Sequence, residues 1–294
     1  MIGKSEKRIR LIAHIVLIIM SLLALLPFLL LIAASMTDEK VALVEGFRFI
    51  PGAFSLEAYQ YIMKQSTMIF RAYGITIFTT LVGTGIGLTI TSLLGYGLTK
   101  DIPGKRFFNF FVVFTMLFNG GLVPTYLIYT KYLHVTNTIW ALIVPSLLLN
   151  AFQVMLVRNY FATSIPESLL ESAKLDGAGE MAIFQKIVLP LSKPILATVG
   201  LMMALAYWNN WTNGLYYLDD PKLYSIQNVL NAINNNIAAL TSMAGTGLYV
   251  NKSEIPTLTA RMAIAVLGIL PMLCIYPFFQ RYFVKGITLG AVKG

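Results

Sequence analysis

The sequence predicts an all-α integral membrane protein with six transmembrane helices. Of its 294 residues, 57% are hydrophobic and 12% are charged, whereas soluble domains are about 45–50% apolar and about 25% charged. Six stretches without Asp, Glu, Lys or Arg are long enough to cross a bilayer core, which takes about 20 apolar residues as a helix. The basic residues are unevenly distributed among the connecting segments, as expected of a multi-pass topology.

The six predicted spans are separated by connections of very different length and polarity. They are 11–36, 72–99, 107–130, 132–157, 194–218 and 262–280. A seventh uncharged run, 223–251, contains five asparagines between positions 228 and 236. Because amide groups without partners are costly in lipid, we predict that this run does not span the membrane.

The 223–251 run nevertheless has helical periodicity. One predicted face is apolar and consists of Ile226, Leu230, Ile233, Ile237 and Leu240. The asparagines fill the opposite face, as in an amphipathic helix. Such a helix either lies on the membrane or on its own bundle, or docks an external partner.

The basic residues predict the orientation of the chain. With both termini in the cytoplasm, the inside segments carry 14 basic residues and the outside segments carry eight, which agrees with the positive-inside rule. This layout puts the segment 164–190 inside and the loops 37–70 and 216–259 outside. We therefore divide the chain into an N-terminal helix with its outer loop, 1–70, and a transmembrane core, 71–294.

The predicted spans contain little chemistry. No acidic residue lies within them, and the two histidines, His14 and His134, are far apart in the sequence. Ion-coupled transporters use intramembrane carboxylates, and a zinc protease needs a motif such as HExxH, which is absent. We therefore predict no catalytic residue, no metal site and no cofactor bound by this chain.

Glycines predict close helix packing and one broken span. Gly83 and Gly87 form a GxxxG pair, which lets two helices approach closely. The third span contains Gly120, Gly121 and Pro124 within "FNGGLVPTY", which predicts a kink or break.

The end of the fifth span predicts a polar, aromatic surface. Trp208 and Trp211 are three residues apart in "YWNNWTNGLYYL" and would share one face of a continuous helix. An aromatic belt at the membrane interface is one explanation. The other is a substrate path for a polyol, with Trp208 and Trp211 stacking on sugar rings and Asn209 binding hydroxyl groups.

The segment 164–190 predicts a polar helical hairpin. Ser164 and Glu167 have the spacing of a capping box, with Pro166 in the first turn. The sequence Asp176-Gly177-Ala178-Gly179 should then reverse the chain, because glycine adopts positive φ readily. Two apolar patches, one on each arm, would let the hairpin bury one side. These are Leu169, Leu170 and Ala173 on the first arm and Met181, Phe184 and Ile187 on the second.

This hairpin resembles the EAA motif of ATP-binding-cassette (ABC) importer permeases. The pattern, close to EAAxxDGAxxxxxFxxIxLPLxxP, is matched in register from Glu171 to Pro194, with Ser172 in place of the middle alanine. The matching residues are Glu171, Ala173, Asp176, Gly177, Ala178, Phe184, Ile187, Leu189, Pro190, Leu191 and Pro194. The C-terminal "QRYFVKGITLGAVKG" is similar to the shorter permease of the carbohydrate-uptake, maltose-type branch. "GGLVPTY" and "WNNWTNGLYYL" are similar to its oligosaccharide subgroup.

The resemblance implies a type I ABC importer permease fold and a transport role in the cell membrane. A cytoplasmic coupling helix would contact a separate ATPase through Glu171, Ser172, Ala173, Asp176, Gly177 and Ala178. Two ATPase subunits would bind ATP and Mg²⁺, and a second homologous permease would complete the path. An extracytoplasmic sugar-binding protein would dock on the loop containing Asn234, Asn235 and Asn236. Membrane lipid is an implied partner, and nucleic acid is not.

Two other functions remain open from the residues alone. The first is a membrane-embedded enzyme that uses Asp219, Asp220 or Glu254 at the outer face. The second is a passive channel for polyol-type solutes. The chain has no P-loop of its own, since "GKS" at Gly3–Ser5 lacks the upstream glycine and loop.

Overall fold

The computed structural model describes residues 4–64, 66–145, 147–245 and 257–291, and the regular elements in these ranges are helices. In chain order they are α1 (Lys4–Ser35), α2 (Glu39–Glu45), α3 (Glu57–Met63), α4 (Ser66–Gly97), α5 (Lys105–Leu117), α6 (Leu122–Leu127), α7 (Ala151–Ser164), α8 (Glu167–Leu175), α9 (Glu180–Ile183), α10 (Leu189–Leu191), α11 (Lys193–Trp208), α12 (Thr212–Tyr217), α13 (Ile226–Gly245) and α14 (Thr257–Ala291). The predicted all-α class is therefore confirmed over the described residues.

Three of these helices are long and apolar enough to cross a membrane by themselves, namely Arg8–Ser35, Ser66–Gly97 and Thr257–Ile275. Two bent helix pairs raise the number to five if each pair is one span. One pair, Lys105–Leu117 with Leu122–Tyr132, bends by 114°, and the other, Glu180–Leu191 with Lys193–Trp208, bends by 82°. The first bend lies at the Gly-Gly sequence, which confirms the predicted break in the third span.

The stretch 132–157 is not one helix, so that prediction was wrong in detail. A 3₁₀ turn covers Ile139–Leu142, and α7 begins only at Ala151. There the Asn150 side chain accepts a hydrogen bond from the Gln153 amide at 3.2 Å. The absence of charge had suggested a span. The Asn150 cap favours a helix that begins at Ala151, and Pro145 disfavours an earlier start because proline has no backbone N–H to donate to a helical hydrogen bond.

The chain divides into two compact units. The first comprises Met1–Ile69 and Leu230–Pro271. Within it, the first turn of α14 is capped by a carboxylate from α2. Glu39 accepts hydrogen bonds from the amides of Leu258 and Thr259, both at 2.9 Å, and from the Thr259 hydroxyl at 2.7 Å. Because helix N-termini carry unpaired amides and a positive dipole end, this contact fixes where α14 begins.

The second unit comprises Phe70–Val229 and Met272–Gly294. Its main apolar core contains Tyr96 of α4, Val157 and Phe161 of α7, Phe184 and Val199. The core therefore joins α4, α7, the segment after α8, and α11.

The predicted close approach at the GxxxG pair is present in the second unit. A Cβ added to Gly83 would meet the ring of Tyr207, and one added to Gly87 would lie 3.0 Å from the Leu148 carbonyl oxygen. These glycines therefore allow α4 to pack directly against α11 and the loop before α7.

The predicted amphipathic helix corresponds to α13. Ile226, Leu230, Ile233 and Ile237 are buried, with at most 3% exposure, whereas Asn235 and Asn236 are exposed. The side chain of the fifth predicted apolar residue, Leu240, lies outside the described side chains, as does Glu254.

Candidate functional site

The predicted hairpin is present, but its first helix begins later than the capping box suggested. Ser164 is the last residue of α7, and α8 runs from Glu167 to Leu175 with Pro166 at its N-cap and no side-chain cap. Ile165 is extended, with φ −99° and ψ 120°. Because the residue before a proline disfavours the helical region, Pro166 separates α7 from α8 and leaves Ser164 on the wrong side of the break.

The tip of the hairpin is a Schellman turn. Gly177 has φ +81°, and its amide donates to the Lys174 carbonyl at 3.0 Å. The Ala178 amide donates to the Ala173 carbonyl, also at 3.0 Å. These two bonds satisfy carbonyls that a helix end would otherwise leave unpaired, so the turn predicted from the glycine is present and is closed by backbone hydrogen bonds.

The second arm is a helix with a π-helical segment at its centre. Glu180–Ile183 is α-helical, Phe184–Val188 is π-helical, and Leu189–Leu191 is α-helical again. Pro190 is the second residue after the π segment. A proline ring clashes with the carbonyl four residues earlier in a regular helix. Here that carbonyl belongs to the π segment, in which the helix is wider. The arm ends at the 82° bend before Lys193.

The hairpin buries one side against the core, although not with all the residues predicted. Leu170, Ala173 and Ile187 pack against the core, and Phe184 is 5% exposed. In contrast, Leu169 and Met181 are 41% and 57% exposed, so the apolar patches were wrong at these two positions. The core contact of the second arm is instead Ile183, which is fully buried.

The residues predicted to contact an ATPase lie in α8 and at the tip of this hairpin. Glu171, Ser172, Asp176 and Gly177 are exposed, whereas Ala173 and Ala178 are half-buried against the core. The Ser172 hydroxyl donates to the Ser168 carbonyl within α8 at 2.8 Å. The hydroxyl of serine at this position is therefore hydrogen-bonded within the helix itself.

Sequence reasoning missed the polar contact that holds the hairpin to α4. Glu180 Oε2 accepts a hydrogen bond from the Tyr96 hydroxyl at 2.6 Å and lies 2.8 Å from the Lys100 ammonium. Its other oxygen is 3.1 Å from the Lys174 ammonium on α8. The Lys100 and Tyr96 hydrogen bonds lower the pKa of the Glu180 carboxyl to about 2, so the group is ionised under physiological conditions.

The aromatic segment after α11 differs from the prediction. Trp208 ends α11, and α12 begins at Thr212 with Trp211 as its N-cap, so the two tryptophans do not share a face of one helix. Trp208 is 2% exposed, whereas Trp211 is 43% exposed. Asn209 is exposed, and its amide donates to the Leu205 carbonyl at 3.0 Å. Of the three path candidates, Asn209 and Trp211 are open to a ligand.

Nearby polar side chains hold the irregular backbone between α6 and α7 and between α11 and α12. The Tyr207 hydroxyl donates to the Ile143 carbonyl at 3.0 Å, and the Asn213 amide donates to the Pro145 carbonyl at 2.9 Å. The Asn228 amide donates to the Trp211 carbonyl at 2.7 Å. Because such backbone must be satisfied within the protein at membrane depth, these residues stabilise the structure around the path candidates.

Asp219 and Asp220, which the charge distribution predicts to lie at the outer face, take part in a loop contact. Both of their amides donate to the Asn137 side-chain oxygen, at 2.6 Å and 3.2 Å. Asn137 has φ +55°, a conformation that asparagine tolerates better than most residues. The two aspartates that an enzyme at this face would use are therefore placed by a structural turn. In the same part of the chain, Asn235 and Asn236 of α13 are exposed and Asn234 is half-buried.

These features agree with the comparison to known proteins. The chain matches the family of binding-protein-dependent transport system inner membrane components over residues 86–289. It belongs to this family. The permease is 40% identical to the polygalacturonan/rhamnogalacturonan transport system permease protein YtcP of Bacillus subtilis (strain 168), with 95% of this chain and 96% of that protein covered. It is 29% identical to the arabinooligosaccharides transport system permease protein AraQ of Halalkalibacterium halodurans, with 92% of each chain covered.

A solved structure supports the same assignment at the level of the fold. The permease matches a chain in the crystal structure of a bacterial ABC transporter involved in the import of the acidic polysaccharide alginate, with a TM-score of 0.76 and 29% sequence identity. The match covers 96% of this chain and 99% of the other. The type I ABC importer permease fold is therefore confirmed, and the chain is a permease subunit of a binding-protein-dependent importer. Members of this family are transport permeases, so the family does not support the enzyme alternative.

Proposed function

We propose that this permease forms half of the translocation path of an ATP-driven oligosaccharide importer. The observation that carries the proposal is the hairpin itself. Of its EAA-like residues, Glu171, Ser172, Asp176 and Gly177 are exposed, while its base is packed into the core of the second unit. An exposed element on a fixed base is suited to receive force from a separate ATPase. The chain itself would bind no cofactor, and ATP and Mg²⁺ would be held by two ATPase subunits.

The oligosaccharide class is supported by the relatives. Their names refer to polygalacturonan, rhamnogalacturonan and arabino-oligosaccharides, and the matching structure imports alginate. In this proposal, Trp211 and Asn209 contact the sugar, and the buried Trp208 supports them from behind. Aromatic rings and amides are suitable for this role because they combine an apolar face with hydrogen-bonding groups.

The remaining parts of the proposal concern topology and partners. Both termini and the hairpin lie in the cytoplasm, as the distribution of basic residues favours. The core 71–294 pairs with a second, homologous permease in the cell membrane. An extracytoplasmic sugar-binding protein docks on the loop that contains Asn234, Asn235 and Asn236.

The decisive experiment is affinity purification of the tagged chain together with an uptake assay. We expect the chain to co-purify with an ATPase, a second permease and a binding protein, and the complex to import labelled oligosaccharides in an ATP-dependent manner. Oligogalacturonides, alginate oligosaccharides and arabino-oligosaccharides are the panel to test. Flux without ATP, and without any ATPase in the complex, would favour the passive channel instead.

Two variants separate the ATPase contact from membrane insertion. Glu171→Lys reverses a charge on the exposed face of α8, and Gly177→Asp adds a side chain at a positive φ. We expect both proteins to insert normally and to lose uptake. Normal transport rates in both variants would argue strongly against the coupling role of the hairpin.

A second pair of variants tests the sugar contacts. Trp211→Ala and Asn209→Ala should lower uptake while the ATPase still co-purifies, because neither residue lies on the hairpin. If both variants transport every member of the panel as the unmodified protein does, these residues do not line the path.

A further inference from the structure

The polar contacts around Glu180 connect three separate segments of the second unit. Tyr96 is the last aromatic residue of α4, Lys100 lies three residues after the end of α4, and Lys174 lies in the last turn of α8. All three reach one carboxylate, at distances of 2.6, 2.8 and 3.1 Å. Glu180 itself begins the second arm of the hairpin. One side chain thus joins both arms of the hairpin to the end of a long membrane helix.

The geometry of this joint is more specific than ordinary apolar packing. Each oxygen of the carboxylate has its own cation, and hydrogen bonds to ionised groups are directional as well as strong. The Lys100 ammonium also lies 4.3 Å from the centre of the Tyr96 ring, which keeps the cation beside the carboxylate. Apolar contacts such as Tyr96 with Phe184, whose ring centres are 5.1 Å apart, allow sliding more readily than such a joint.

An open cavity increases the importance of the joint. A cavity of about 500 Å³ lies between α8 and the turn that follows α4, and is lined by Thr99, Lys100, Lys105, Glu171 and Lys174 among other residues. Close packing therefore does not hold α8 against this turn. On this side of the hairpin, Glu180 provides the polar connection to α4, beside the apolar contact of Tyr96 with Phe184.

We propose that Glu180 is a positioning residue that makes the hairpin and α4 move as one body during the ATP-driven cycle. The inference rests on the proposed function, because it presumes that an ATPase moves the hairpin. Without the joint, the ATPase would still bind the exposed tip, but the hairpin would shift relative to α4 and less of its motion would reach the membrane helix.

The proposal can be tested with spin labels on the hairpin and on α4. Ser168 of α8 and Leu93 of α4 are exposed and would be changed to cysteine in a Cys274→Ser background, since Cys274 is itself exposed. The distance between the labels would be measured in the complex with its ATPase, without nucleotide and with ATP and vanadate. This readout needs no knowledge of the transported sugar.

In the otherwise unmodified protein we expect the separation to change by less than about 2 Å between the two states, the scale of small helix shifts. In Glu180→Ala we expect a larger, nucleotide-dependent change. Lys100→Glu combined with Glu180→Lys restores one ion pair and should bring the separation back toward the original behaviour. Glu45→Gln is the matched control, because it removes a Glu–Arg ion pair of 3.1 Å far along the chain from the hairpin.

Several results would overturn the inference. One is a Glu180→Ala protein in which the label separation stays the same in both states. Another is a label separation that already changes by more than about 2 Å between the two states in the protein that retains Glu180. A distance distribution that broadens equally with and without nucleotide would assign Glu180 a merely structural role. If Glu180→Ala fails to assemble, Glu180→Gln provides the same comparison, since it removes the charge and keeps the size.

The outcome is distinguishable from a failure of the proposed function. If the chain has no ATPase partner, no ATPase will co-purify with the unmodified protein, and vanadate with ATP will not change the distance between any pair of labels. If the partner is present and only the joint is wrong, the unmodified complex will hydrolyse ATP and the Glu180 variants will behave like it.

Discussion

Replacing Gly177 by alanine should loosen the tip of the hairpin through backbone strain alone. Gly177 has φ +81°, and a Cβ added there would meet nothing within 4 Å. Steric clash with neighbours therefore contributes nothing. The left-handed conformation costs an ordinary L-residue about 1–2 kcal/mol, so the closed turn should become about 5–30 times less favoured relative to its locally open form.

The neighbouring Gly179 offers a matched control. It also has nothing within 4 Å of an added Cβ, but its φ is −70°, which any residue adopts. Gly179→Ala should therefore leave the turn intact, and Gly177→Asn should lie between the two, because asparagine tolerates the left-handed region better than alanine.

Hydrogen–deuterium exchange measures this effect directly. The amides of residues 177 and 178 donate to the carbonyls of Lys174 and Ala173, so opening of the turn exposes them to exchange. In Gly177→Ala we expect these amides to exchange about 5–30 times faster, with no such change in Gly179→Ala. Equal exchange in the two alanine variants would refute the reasoning, because they differ only in the backbone angle at the substituted position.

Three further predictions follow from contacts outside the tip. Gly83→Ala forces the buried Tyr207 ring to move and should destabilise the protein by about 1–3 kcal/mol in a thermal unfolding assay. Gly85→Ala is the control and should be tolerated, because a Cβ added there has nothing within 4 Å. Equal losses of stability in the two variants would contradict the close packing at Gly83. Glu39→Gln should cost about 0.5–2 kcal/mol near neutral pH, as loss of a helix cap does. Hydrogen bonds from the first turn of α14 outweigh burial and lower the pKa of Glu39 below 4.5. The stability that the Glu39 carboxylate contributes should therefore be lost as the pH falls below that value. If Glu39→Gln were still less stable than the unmodified protein in acid, the carboxylate would be excluded as the source of the difference. The pKa of Glu180 is lowered to about 2, so its ion pairs should be intact above pH 4.5 and weaken only below it. Protection factors of the hairpin amides, that is, exchange rates divided into the intrinsic rate at the same pH, should therefore stay constant between pH 5 and pH 8, and a change in them would contradict this.

The parts of the fold that could be predicted from the sequence depend on local signals. The hairpin turn follows from Gly177, and the amphipathic α13 follows from apolar residues at helical spacing. The break in the third span follows from Gly120, Gly121 and Pro124. In each case neighbouring residues determine the backbone conformation, so a single sequence is sufficient.

The errors and omissions depend on contacts between distant residues. Glu180 lies 84 positions after Tyr96, and Glu39 lies about 220 positions before the turn that it caps. No local pattern distinguishes these two glutamates from others. The stretch 132–157 was mistaken for a span because it lacks charge, although its backbone is irregular and is satisfied by Tyr207 and Asn213, which come from segments more than 60 positions away.

The distribution of charge explains why coupling and transport should be separable in this permease. Its predicted spans contain no acidic residues, so an ion gradient has no carboxylate through which to act, which agrees with a family whose members are permeases of binding-protein-dependent transport systems. The ionised groups of the second unit are concentrated instead around the hairpin, where Glu180 is held by Lys100 and Lys174. The path candidates Asn209 and Trp211 lie beyond the other end of α11 and are supported by neutral hydrogen bonds. Variants of the hairpin should therefore change how ATP hydrolysis drives the protein, and variants near Trp211 should change which sugar passes.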